Sequence, residues 1–163
     1  MNKTKTLVLT ALFAALAVIG SFIKIPIPPG TPALDAAPAF VSMAFLPAPF
    51  AAAAGAIGHI ATSFTAGFPL TLPIHIMIAA EMAIVVGVGA YLFKKGKKAL
   101  AWVWVAISNG VLAPLPFYWI ISPAVYVAVA PGLLMATGIN VVVACIVLPF
   151  LQKKLAQSGI KLI

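Results

Sequence analysis

Apolar residues along this chain come in long runs, with most of the polar residues in the gaps. Residues 6–23 form the first run. Residues 33–46 follow, then Pro47-Ala48-Pro49, then residues 50–64. Further runs cover 72–93, 100–121 and 131–151. A helix needs roughly 20 apolar residues to cross a bilayer. Residues 33–64 therefore admit two readings, one span or a hairpin of two short arms. Pro47 and Pro49 suit a tight turn between such arms. Pro- and Gly-marked loops are expected at 24–32, 65–71 and 122–130.

The lysines choose between the readings. Loops on the cytoplasmic side carry the excess of Lys and Arg. With the hairpin there are six spans and both termini share a side. Lys3, Lys5, Lys94, Lys95, Lys97, Lys98, Lys153, Lys154 and Lys161 then lie inside, and Lys24 alone lies outside. A single span would move the Lys94–Lys98 cluster and the C-terminal lysines outside. The pattern thus predicts an all-α membrane protein of six transmembrane helices with both termini cytoplasmic, a single domain over residues 1–163.

Composition supports this. Hydrophobic residues make up 64% of the 163 and charged residues 7%, and the mean hydropathy is +1.19. A soluble domain carries about 25% charged residues, so a soluble enzyme is excluded. Six spans use about 120 residues, which leaves no room for a soluble catalytic domain. The net charge of +8 follows membrane topology. It forms no basic stripe with interleaved aromatics, so no nucleic-acid partner is expected. Lys3 and Lys5 ahead of an apolar run also resemble a signal sequence. The run is long for one and lacks a clear cleavage site, so it is read as the first helix. The single Cys145 allows no intramolecular disulfide.

Polar groups at membrane depth are costly and mark candidate sites. Glu81 falls near the middle of the fourth span. His75 lies on the same span, six residues away and thus about 120° around the helix. The two can flank one cavity but not stack on one face. His59 shares a face with Ser63, four residues on. Each histidine can instead serve a helix–helix hydrogen bond. Asp35 opens the second arm, where it can cap a helix start or meet a ligand. Lys24 can snorkel, pair with Asp35 or contact a ligand. Asn109 and Asn140 lie mid-span and can bond across helices or to ligand. Tyr118, Trp119 and Tyr126 suit either an interfacial belt or stacking walls for a flat ring. Lys24, Asp35, His59, His75, Glu81 and Asn140 cluster in the outer half of the predicted bundle. That describes a mostly apolar small-molecule pocket open to the outside.

Several chemistries are missing. No phosphate-binding G-x-x-x-x-G-K-[ST] loop and no H-E-x-x-H occurs. The two histidines lie 16 residues apart without a cysteine beside them; Met77 and Met82 are near, but the pattern is unspecific and no metal ligand is assigned. The first helix carries a small-residue face, with Ala11 and Ala15 four apart, of the kind that lets helices approach closely.

The opening "LVLTALFAALAVIGSFIKIP", the stretch "ALDAAPAF" and the segment "GAIGHIATSFTAGFPLTLPIHIMIAAEM" resemble the substrate-binding S components of energy-coupling factor (ECF) vitamin transporters. The resemblance covers nearly the whole chain. It implies a bacterial or archaeal cell-membrane protein that binds a vitamin or precursor on its outer side, with the first loop as a lid. It also implies partnership with a transmembrane T subunit, docked on Ala11 and Ala15, and with two ATPases. ATP would be used by those ATPases, and this chain would need no cofactor of its own. Asp35, Gly58-His59 and the stretch from Gly67-Phe68-Pro69 to His75 look most similar to members linked to cobalamin-precursor salvage, which implies α-ribazole as ligand, with pantothenate, pyridoxine-like rings and hydroxymethylpyrimidine as the alternatives. The competing reading is a stand-alone ion- or proton-coupled carrier or channel using Glu81 and the histidines as a relay. A membrane enzyme is a remote third, because nothing pairs a nucleophile with a base.

Overall fold

The computed structural model describes residues 2–26 and 32–157. Seven α-helices follow one another: α1 (Lys3–Ser21), α2 (Ala37–Ser42), α3 (Ala48–Thr65), α4 (Leu72–Lys94), α5 (Lys98–Ile107), α6 (Leu115–Ile120) and α7 (Pro123–Gln157). A π-helical turn, Ser108–Leu112, joins α5 to α6. Among the described residues there is no strand, only an isolated antiparallel bridge between Lys24 and Ala33.

Four helical stretches are long and apolar enough to cross a membrane: Lys3–Ser21, Leu72–Lys94, Lys98–Ile120 and Pro123–Lys154. The outer surface of the bundle is correspondingly apolar, with Phe22, Phe64, Trp119 and Ile146 exposed. The chain is a multi-pass membrane protein. The expected second span is not a long helix. Regular helix there is limited to Ala37–Ser42, and turns carry the chain to Pro47. This short piece is the buried centre of the bundle, packed on α1, α3, α4 and α7. Phe40, Met43 and Leu46 are fully buried. Short length is tolerated at depth because protein, not lipid, surrounds it.

Small residues set the helix spacing. A Cβ on Gly55 of α3 would lie 2.9 Å from Val86 Cγ2 of α4, and one on Gly58 would lie 3.0 Å from Ala17 Cβ of α1. Helices approach this closely in membranes because dispersion and hydrogen bonds, not water exclusion, hold them together. Trp104 Nε1 donates to the Val85 carbonyl at 2.9 Å and ties α5 to α4.

Two features differ from those the sequence predicts. The expected loop at 122–130 is the first part of α7, which runs through Pro131 and Pro149. A membrane helix can absorb a proline because neighbours re-satisfy the freed carbonyl. The expected fifth span corresponds to Lys98–Ile120 and carries a π turn at its middle. Ala113 N donates to Ser108 O, five residues back, at 2.8 Å, and Pro114 follows with no N–H to give. The extra residue re-aims the side chains that come after it.

Candidate functional site: a two-part cavity with polar groups in its walls

A cavity of about 250 Å³ lies inside the bundle, where α1, α2, α3, α4, the π turn, α6 and α7 converge. A second, of about 330 Å³, lies beside it under residues 21–24, 33 and 65–69. The two share Asp35, His59, Thr62 and His75 in their walls. We call them the core cavity and the mouth cavity. Ligand sites span about 300–1,000 Å³, and together the pair falls in that range.

The mouth is held by backbone. Ile25 N donates to Pro32 O at 2.9 Å, and Leu34 N to both Ile23 O and Gly20 O at 3.1 Å. These bonds close the base of the loop that carries residues 27–31, which lie outside the described residues. The expectation that this loop is a lid therefore concerns residues not described. Gly20 makes the closure possible, since a Cβ there would overlap the Leu34 carbonyl. Lys24 is exposed and lines the mouth cavity. No ion pair joins it to Asp35. Asp35 does not cap α2 either. The N-cap is Ala36, with no side-chain bond, and Asp35 faces both cavities.

Between the cavities sits a hydrogen-bonded cluster. His59 Nε2 is 3.2 Å from His75 Nδ1, and Ser63 Oγ is 2.9 Å from that same Nδ1. Leu70 N, which can only donate, points at His75 Nε2 from 3.4 Å. His75 Nε2 is therefore an acceptor and its proton sits on Nδ1. Ser63 Oγ accepts that proton and donates to the His59 carbonyl at 2.7 Å. The loop pinned this way is strained. Phe68 and Thr71 have φ of 49° and 79°, a region non-glycine residues rarely enter. The Phe68 ring packs on His75 with centroids 5.7 Å apart.

The core cavity has polar residues of its own. Glu81, Asn109, Thr137 and Asn140 line it but not the mouth. Glu81 lies six residues beyond His75, about 9 Å along α4. Asn109 sits in the π turn, and its Nδ2 donates to Thr137 Oγ1 at 2.8 Å. Asn140 is 1% exposed and saturated by backbone. Its Oδ1 accepts from Ala37 N at 2.7 Å, and its Nδ2 donates to Ala33 O at 2.8 Å and Ala136 O at 2.9 Å. Asn140 thus fixes the segment that carries Asp35. Glu81 differs, because its Oε2 is buried and has no hydrogen-bond partner. Ile78, Met82, Phe117 and Leu133 supply apolar walls.

Of the eight candidate binding residues, Lys24, Asp35, His59, His75, Glu81, Asn109 and Asn140 come together here. Tyr118 does not. It is 43% exposed and packs against Trp119 and Tyr126. Its neighbour Phe117, 3% exposed, faces the cavity instead, because the π turn shifts the register. Thr137 was also not foreseen, although its spacing of three from Asn140 places both on one helix face. Ala11 and Ala15 are both exposed on α1, away from the cavity. Among the described residues no group of three or more His, Cys, Asp or Glu could hold a metal ion.

No curated protein and no solved structure matches the chain. A family model described as "ECF-type riboflavin transporter, S component" matches residues 1–157. S components of this kind bind small vitamin ligands and work with a T subunit and ATPases; they are not enzymes. With the match running from the first residue through α7, the chain belongs to the family of ECF-type riboflavin transporter S components.

Proposed function

We propose that this chain captures riboflavin from outside the cell and delivers it inward together with a T subunit and two ATPases. The observation that carries the reading is a mostly apolar cavity with a few polar residues in its walls, inside a chain of this family. Apolar walls favour a flat fused ring. The cluster around Asp35, His59 and His75 offers donors and acceptors to a hydroxylated chain. α-Ribazole, a smaller fused ring with a ribose, shares both features and is the competing ligand. The family description favours riboflavin over it.

In this reading the lysine distribution puts both termini in the cytoplasm, with six crossings in all. The short α2 and its turns make one crossing inside the protein. Ala11 and Ala15, exposed on a face that also presents Val8, Leu12 and Ile19, dock on the T subunit. ATP is hydrolysed by the partner ATPases.

The test is to purify the chain gently, denature it and weigh what it releases. A stoichiometric compound of riboflavin's mass supports the reading, and α-ribazole's mass would replace the ligand while keeping the role. An empty protein whose melting neither vitamin shifts would sink the binding reading. Uptake separates it from a stand-alone carrier. Accumulation should need all partners and should vanish in Ala11→Trp and Ala15→Trp while binding persists. Ion-coupled flux by the lone chain would favour the carrier.

A further inference from the structure

We propose that Glu81 is the specificity-determining residue of the core cavity. It receives a ring N–H of the ligand and orients the vitamin ring-first, with the hydroxylated chain toward the mouth. The inference rests on the riboflavin reading above and deepens it.

Three observations carry it. First, Glu81 is the one side chain among the described residues with a buried polar atom left unpartnered. Buried polar atoms in folded proteins nearly always have a partner, so an orphan at a cavity wall asks for one from outside the chain. Second, further hydrogen-bonding groups line the same cavity. Asn109 Nδ2 donates to Thr137 Oγ1, which leaves the Thr137 hydroxyl proton and the second Asn109 N–H for other acceptors. Carboxyl acceptor and hydroxyl or amide donors thus line one cavity. An imide edge, which alternates carbonyl, N–H and carbonyl, complements that set. Third, the wall shared by both cavities carries Asp35, His59 and Thr62 beside the internally bonded His75, a spread of polar groups that suits a chain of hydroxyls better than a ring edge.

Riboflavin has one ring N–H, at N3 between two carbonyls. Capping it with a methyl group removes the donor and adds bulk at the same point. A site that hydrogen-bonds a ligand N–H rejects the analogue lacking it far more strongly than an apolar pocket rejects one extra methyl. The experiment measures dissociation constants of riboflavin and N3-methylriboflavin for the wild-type chain, Glu81→Leu and Glu81→Gln. In the wild type the methylated compound should bind at least about tenfold more weakly. In Glu81→Leu, riboflavin should weaken at least about tenfold and the ratio should fall toward one. Glu81→Gln keeps a carbonyl acceptor and should retain part of the discrimination, which gives a second readout if the leucine variant does not fold. A wild type that binds riboflavin but accepts the methylated compound equally, or a ratio unchanged in both variants, overturns the role of Glu81 and leaves the riboflavin reading standing. A wild type that binds no riboflavin overturns that reading, and this inference falls with it.

Discussion

Asn140→Leu should release the cavity wall without dissolving the fold. Wild-type Asn140 makes three hydrogen bonds of 2.7–2.9 Å. The bond to Ala136 O stays within α7, while the other two cross to the segment around Asp35. Cross-helix hydrogen bonds in membrane proteins average about 0.6 kcal/mol and reach about 1.7. Two of them amount to roughly 1–3 kcal/mol. Leucine fills a similar volume, so the loss falls on the bonds and on the Ala37 N–H and Ala33 C=O left behind. Hydrogen exchange reads this directly. A loss of 1–3 kcal/mol accelerates exchange of the Ala37 amide by roughly 5- to 150-fold. Phe68 is the internal control, since its amide is held by Ser63 O at 2.8 Å, away from the tether, and should keep its protection. Asn140→Asp keeps the acceptor and should protect Ala37 more than the leucine variant does. On the proposed riboflavin reading, affinity should fall with the Ala37 protection, because Asp35 lies between the two tethers. Unchanged protection at Ala37 in Asn140→Leu would refute the tether, and uniform acceleration across all helices would show a role in global stability instead.

Other perturbations probe the remaining joints. Gly20→Ala forces a methyl into the Leu34 carbonyl and should cost about 1–3 kcal/mol, seen as a melting temperature lowered by several degrees. Gly138→Ala, where nothing lies within 4 Å, should be neutral or slightly stabilising in the same melt. His75→Phe removes the acceptor for Leu70 N and the donor to Ser63 while keeping a ring against Phe68. Exchange at Leu70 should rise roughly 2- to 10-fold, as loss of about 0.5–1.4 kcal/mol implies, and equal rates would deny that the histidine pins the loop. Glu81→Leu should stabilise the ligand-free protein by about 1–3 kcal/mol, the cost of an unpartnered buried polar atom. A lower melting temperature for that empty variant would mean the carboxyl has a structural partner after all.

Much of the fold can be read from the period and length of the apolar runs. The spans at 6–23 and 72–93 agree with α1 and α4 to within a few residues, because long uninterrupted runs leave no other structure available in lipid. Proline misleads elsewhere. In water Pro131 would end or start a helix, but in a bundle α7 passes through it. At 47–49 and 114 proline does mark breaks, at the α2–α3 turn and the π turn. The difference lies in packing that a linear pattern does not carry. Tyr118 illustrates the consequence, since one extra residue at Ser108–Leu112 turns it out and Phe117 in.

The candidate site was legible as a set of residues but not as a set of roles. Membrane depth makes every polar side chain costly, so Asn140 and Glu81 stand out equally in the sequence. Only the count of their partners separates them. Asn140 has a partner for every bond it forms inside the chain, and each bond goes to backbone, so its polarity is spent on shape. Glu81 keeps one buried oxygen with none, and a chain selected only for stability would hold leucine there. The same reasoning ranks the histidines. His75 is engaged on both nitrogens and holds the loop, whereas His59 bonds through Nε2 alone. A polar residue at membrane depth therefore becomes evidence for binding in proportion to the hydrogen bonds that the protein itself leaves unmade.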